Sequence, residues 1–354
     1  MKTGAYGSES RTGTSPGRLL ELDALRGIGA IAVVLFHYTM RFPQLFPQAD
    51  PVPMHFWQGE YRVLLFFAIS GFAIFFSMSR IGSVADFVVN RFARLFPAYW
   101  VAIILTLSFE YGGGVDTLIV PVHSALANFT MLQGFLYLPA VDGAYWTLTI
   151  ELGFYACMTG LWLMLGREFR RLEPMLLLWL ALKWLMLVWP AMPSRLTILL
   201  VLEFAPFFII GIIFHRIWSG QRRWRAQLPY LAAALLTLAA TESRELFLAG
   251  CVLVAIFALI LNGVLRFLCV RPVLWFGSIS YPLYLVHENV GFVIMLKAHQ
   301  VGLNHWVGFA TALAIVVALA WLLHVYVERP VGDRLSCRWK NRQRLRAVST
   351  PQSG

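Results

Sequence analysis

Apolar residues run along this chain in blocks of about 20, separated by short polar or basic breaks. A helix rising 1.5 Å per residue needs roughly 18 or more such residues to cross hydrocarbon. Ten segments meet that length, near 22–41, 60–79, 92–110, 144–166, 174–190, 196–217, 225–241, 246–265, 273–297 and 304–327. An eleventh apolar stretch, 117–138, carries Pro121, His123, Asn128 and Gln133 and reads as an interfacial or re-entrant segment. The expected fold is therefore an all-α integral membrane protein of about ten transmembrane helices.

Charge tests that count, because lysine and arginine in short loops stay on the cytoplasmic side. With the N-terminus inside, 23 of the 29 basic residues fall on the cytoplasmic side and 6 outside. Counting 117–138 as a span inverts everything after it and leaves 11 inside against 18 outside. Both termini are thus expected in the cytoplasm of a cell whose inner (plasma) membrane holds the chain. Residues 1–18, rich in Gly, Ser and Thr without an apolar signal core, read as a disordered tail. Residues 19–330 read as one membrane domain and 331–354 as a basic tail.

Composition agrees: 59% hydrophobic, 13% charged, mean hydropathy +0.68. That much apolar surface exceeds what one soluble core of 354 residues can hide. The formal charge of +11 is accounted for by cytoplasmic anchoring, so no nucleic-acid partner is expected. The four cysteines lack metal-ligand spacing, and neither metal nor disulfide is expected.

Ionisable residues inside hydrocarbon are costly and mark function by default. On the first segment, LDALRGIGAIAVVLFHY, Arg26 and His37 stand eleven residues apart, about 20° past three full turns and about 16 Å along the axis. They share one face, the arginine near the cytoplasmic surface and the histidine in the outer half. A histidine bonded to a neighbouring helix and a snorkelling arginine are the plainer readings. Arg91 and Arg94 lie at the inner end of the third segment, where phosphate binding and topological anchoring explain them equally. Glu151 is expected near the depth of His37, where a carboxylate orients an imidazole. His287 and Glu288 fall in the outer half of the ninth segment. Glu203 is a candidate lining residue of an acceptor cavity, Lys183 is expected to snorkel outward, and Trp146 is a belt residue or a sugar contact.

Five of these stretches, in order, resemble the acyltransferase 3 family: LDALRGIGAIAVVLFHY, FFAISGF (66–72), RFARLFP (91–97), YWTLTIE (145–151) and GSISYPLYLVH (277–287). The resemblance covers nearly all of residues 19–330. Thr147 stands where that family more often has serine and retains the hydroxyl. The resemblance implies about ten helices and transfer of an acyl group, most often acetyl, from cytoplasmic acyl-CoA to a carbohydrate hydroxyl on the far side. The carbohydrate is a polysaccharide, a lipid-linked glycan or another glycoside. It further implies that Arg26 and His37 are the family's essential pair. On this reading His37, oriented by Glu151, is the general base, and Arg26, Arg91 and Arg94 hold the donor's phosphates. Ser70, Trp146, Glu203, Tyr281 and His287 are acceptor-site candidates. A transporter or flippase of a lipid-linked sugar also uses buried His, Glu and Arg, but no paired inverted repeat is present.

Overall fold

A computed structural model describes residues 19–349 except 79, 80, 167, 168 and 170, so the N-terminal tail lies outside the described residues. Among these, the regular structure is entirely helical. In chain order the α-helices are α1 (Leu20–Phe36), α2 (Phe42–Leu45), α3 (Arg62–Met78), α4 (Val84–Gly113), α5 (Val122–Asn128), α6 (Trp146–Leu165), α7 (Leu172–Val188) and α8 (Ser194–Leu199). There follow α9 (Ala205–Trp218), α10 (Trp224–Thr241), α11 (Arg244–Leu261), α12 (Arg271–Val286), α13 (Glu288–Gln300), α14 (His305–Leu323) and α15 (Arg329–Ser349).

Each of the ten expected segments holds a helix, but length and apolarity qualify fewer for a crossing. Four pass alone: Val84–Gly113, Gly143–Leu165, Arg244–Leu261 and the continuous run His305–Gln343. A fifth is formed if α12 and α13, bent by 70° at their junction, count as one broken span. Arg62–Met78 and Ala205–Trp218 are apolar but shorter. The reduction has local causes. The first segment leaves α-geometry at His37 for a π-helical turn, His37–Arg41. The sixth is split by a non-helical stretch in which Val201 takes φ +46° before Pro206 opens α9.

The 117–138 stretch is not one continuous helix. It forms α5, a 3₁₀ turn at Gln133–Leu136, and left-handed residues at Met131 and Tyr137. Asn128 explains the break, since its side chain serves backbone groups that a helix would otherwise use. Its Nδ2 donates to the carbonyls of Ser124 and Pro139, and its Oδ1 accepts from the Val141 N–H.

Two close helix crossings organise the bundle, both built on glycine because a Cβ would collide with facing backbone. Gly27 of α1 meets α12 at Val273, and Gly277 of α12 meets α1 at Asp23. Gly71 of α3 and Gly211 of α9 do the same at Phe208 and Ala68. Gly71 is the glycine of FFAISGF and Gly277 opens GSISYPLYLVH, so two of the family-like motifs are backbone-contact sites. The basic C-terminal segment is helical through Ser349 and docks on α4, where Asp86 accepts from Trp339 Nε1 at 2.8 Å and Gln343 Nε2 at 2.5 Å.

Candidate active site

The π turn and the α12–α13 bend bring His37, His287 and Glu288 together. Tyr38, in the π turn that follows α1, donates to the carbonyl of His287 at 2.9 Å, fixing the bend against the first segment. Asp142 secures it from the other side. Its Oδ1 accepts from the Ala144 N–H at 2.9 Å and its Oδ2 from the Asn289 N–H at 3.0 Å, so one buried carboxyl caps the first turns of two helices. Asn289 Nδ2 then donates to Glu110 Oε1 at 2.7 Å and to the Val141 carbonyl at 2.8 Å.

His37 sits inside this frame with partners on both ring nitrogens. Nδ1 lies 2.9 Å from the Val33 carbonyl, 3.0 Å from Arg62 Nη2 and 3.1 Å from His287 Nε2. Nε2 lies 3.2 Å from Glu288 Oε2. With Nδ1 protonated, the ring donates to Val33 and presents the Nε2 lone pair beside Glu288. With Nε2 protonated, its N–H lies beside Glu288 at ion-pair distance, outside hydrogen-bond geometry, while Nδ1 accepts from Arg62. The doubly protonated ring donates to Val33 and has its charge opposed by Glu288. A ring with a neighbour suited to each state fits gain and loss of a proton. Arg62 also lies over the Phe36 ring, 4.3 Å from its centroid.

His37, Arg62 and Glu288 line a cavity of about 440 Å³ with Arg41, Gln44, Trp57, Trp146, Thr147 and Tyr284. A second, narrower cavity of about 100 Å³ is lined by Arg26, Ser70, Arg94, Glu151, Tyr281, Thr147 and Tyr284. Val63, Thr147 and Tyr284 line both. The hydroxyls of Thr147 and Tyr284, 2.6 Å apart and both within reach of the Ala144 carbonyl, stand at this common wall.

The expected partner of His37 is therefore replaced. Glu151 lies in the arginine cavity, where it accepts from Ser70 at 3.5 Å and from Tyr155 in a short hydrogen bond. Glu288 occupies the place beside the imidazole. Of the arginines, Arg26 and Arg94 line the lower cavity, with Arg26 3.6 Å from Asp23. Arg91 lines neither cavity; it donates to Ser77 Oγ at 3.0 Å and packs on the rings of Phe87 and Tyr155. Ser70 and Tyr281 stand in the arginine cavity, Trp146 in the histidine cavity, and His287 is buried against His37. Glu203 is exposed in the break before α9 and lines neither. Lys183 does not snorkel: it is buried and paired with Glu242 at 2.5 Å.

Sequence reasoning missed Arg62, Asp142, Asn289 and Glu110. The Asp142–Gly143 pair is a turn signal, and an arginine opening an apolar segment draws the eye, but neither says what it touches. The ligand atoms of His37, His287 and Glu288 all lie within 4.8 Å of one another, a metal-like grouping. Their surroundings do not fit a cation, because the Arg62 guanidinium is 3.0 Å from His37 Nδ1 and would repel one. The four cysteines are free.

A family model described as an acyltransferase domain matches residues 19–325. The chain belongs to the acyltransferase 3 family. Its curated relatives include the exopolysaccharide production protein ExoZ of Rhizobium meliloti (strain 1021), 26% identical over 305 residues, which cover 82% of this chain and 95% of that one. Nodulation protein 10 of Rhizobium leguminosarum bv. viciae is 34% identical over 112 residues, 26% of this chain and 30% of that one. Acyltransferase MdmB of Streptomyces mycarofaciens is 29% identical over 164 residues, 43% and 41% of the two chains. No solved structure matches the chain. Family membership makes this an acyltransferase, and its long apolar helices make it a membrane protein. The family model ends at residue 325, within the π-helical turn that follows α14.

Proposed function

We propose that this acyltransferase moves an acyl group, acetyl by family resemblance, from acyl-CoA to a hydroxyl of a polysaccharide or lipid-linked glycan, with His37 as general base. The observation that carries the reading is the pair of cavities meeting at Val63, Thr147 and Tyr284: a cationic one below, an imidazole–carboxylate one above. The donor's phosphates sit by Arg26 and Arg94, and its pantetheine arm passes the Thr147–Tyr284 wall to bring the thioester under His37. The acceptor oxygen attacks the thioester carbonyl while Nε2 of His37 takes its proton. Glu288 and the Val33 carbonyl hold the resulting imidazolium. The carbon–sulfur bond breaks, and the departing thiolate of coenzyme A receives that proton.

In the membrane this arrangement corresponds to about ten crossings, some short or broken, with both termini cytoplasmic in the plasma (inner) membrane. Arg26 then faces the donor's compartment and His37 the acceptor's. An apolar groove of about 490 Å³ between α3 and α11 shares Trp57 and Arg62 with the histidine cavity, which favours an acceptor arriving along the bilayer.

The test uses purified protein in nanodiscs, radiolabelled acetyl-CoA and glycans from cells lacking the protein. Labelled glycan forms with the wild type. His37→Ala and His37→Gln lose transfer by about 10²–10⁴-fold, the usual worth of a general base, yet bind acetyl-CoA. A loss below tenfold, or loss of donor binding instead of transfer, removes His37 from this role. Glycan movement without a covalent product would make the protein a transporter.

A further inference from the structure

The histidine cavity carries charge beyond what the acyl-transfer step uses. Besides the Tyr284 phenol, four ionisable side chains face it: His37, Arg41, Arg62 and Glu288. Glu288 is engaged with His37 at 3.2 Å, and Arg62 with the same ring at 3.0 Å. Two guanidiniums, Arg41 and Arg62, thus face the single carboxylate Glu288, which both attract, and the cavity keeps a cation in excess. Arg41 is the exposed one of the two, and its Nη1 donates to the neutral Gln44 Oε1 at 3.1 Å.

Its position is set by the backbone. Arg41 closes the π-helical turn that begins at His37, and π turns inside α-helices are rare outside functional sites. The turn keeps the guanidinium on the cavity wall, one turn beyond the base. Two indoles line the same cavity, Trp57 at 57% and Trp146 at 45% exposure. Trp146 is braced by Phe67 and Phe204, with centroids 6.4 Å and 5.7 Å away. A braced, open indole offers the flat apolar surface that covers the C–H face of a sugar ring. The guanidinium fork matches a carboxylate or phosphate.

We infer that Arg41 selects an anionic acceptor: a glycan whose sugar ring rests on Trp146 and Trp57 while a carboxylate or phosphate near the acylated hydroxyl pairs with Arg41. This rests on the acyltransferase reading of the cavity and narrows its substrate class. Hydrogen bonds to charged groups predict a roughly ten- to hundredfold preference for acid over neutral acceptor.

Binding, independent of catalysis, supplies the test. The probes are tetragalacturonate and its methyl ester, and maltotetraose 6-phosphate and maltotetraose, each pair sharing its sugar chain and differing at the anionic group. They are titrated by tryptophan fluorescence against protein in nanodiscs of zwitterionic lipid. The wild type should bind the acid of at least one pair tenfold or more tightly than its neutral counterpart, and the responding pair tells carboxylate from phosphate. Arg41→Gln should reduce that ratio below threefold, and Arg41→Lys should retain part of it. Equal binding, or none, of acid and neutral forms by the wild type overturns the inference, as does a ratio that survives Arg41→Gln. Acyl transfer without charge preference would sink this inference alone; charge preference without transfer would sink the acyltransferase reading of the cavity.

Discussion

Replacing Glu288 by Gln isolates the charge beside His37 while keeping the side chain's size. In the reaction proposed, Nε2 of His37 acquires a proton 3.2 Å from Glu288 Oε2, in a place where both side chains are about nine-tenths buried. At an effective dielectric constant of about 20, two unit charges at that distance attract by roughly 5 kcal/mol. Desolvation and the residual dipole of the amide offset roughly half of this, leaving an effect on the order of 1.5–3 kcal/mol. At about 1.4 kcal/mol per decade, kcat should fall roughly ten- to hundredfold. The Michaelis constant for acetyl-CoA should stay near wild type, because Arg26 and Arg94 line the other cavity. Initial rates of radiolabel transfer, with thermal unfolding as the control for folding, measure both. A Glu288→Gln enzyme within threefold of wild-type kcat, with Glu151→Gln strongly impaired, would refute the assignment and return the orienting role to Glu151.

The two arginines of RFARLFP should separate. Arg94→Gln, which empties a position on the lower cavity wall, should raise the Michaelis constant for acetyl-CoA roughly ten- to hundredfold with little loss of stability. Arg91→Gln should chiefly lower the unfolding temperature, since it breaks the Ser77 bond and the packing on Phe87 and Tyr155; a selective donor-binding defect there would contradict the geometry. Topology is checked by impermeant thiol labelling of intact cells: with Cys337 as the sole thiol the chain should stay unlabelled, and with only Gly112→Cys it should label. Gly112 is chosen because a side chain there meets nothing within 4 Å, whereas at Gly113 it would strike Val293. Labelling of both overturns the ten-crossing arrangement.

Hydrophobic blocks made the helical segments legible because lipid demands long apolar runs, and every expected segment contains a helix. Continuity was less legible. A π turn at His37–Arg41, a left-handed residue at Val201 and a 70° bend before Glu288 all sit inside runs that look uninterrupted by composition. Tertiary contacts hold each break: the Tyr38 hydroxyl on the His287 carbonyl, the Trp179 indole on the Leu200 carbonyl next to Val201, and the Asp142 carboxyl on the Asn289 amide. A window of hydropathy contains none of these partners. The same limit explains Lys183. On its own helix it is a charge near an end, free to snorkel; the structure provides Glu242, 59 residues later, and buries the pair.

At the site, spacing within one helix was readable and the neighbour across helices was not. The Arg26–His37 interval follows from 3.6-residue periodicity alone, and the two residues do line two cavities that abut. The partner of His37 was inferred from depth, which counts residues from a helix end but leaves rotation about the axis open. Glu151 is on a helix that turns it toward Ser70 and Tyr155. Glu288 reaches the imidazole because the chain bends at His287, so that two adjacent residues, a histidine and a glutamate, both face His37. A straight helix would send neighbours 100° apart. The bend that makes the ninth segment a poor membrane span is thus the same feature that brings His287 and Glu288 to His37, and the glycine crossing of α1 on α12 holds it to the helix that leads into His37.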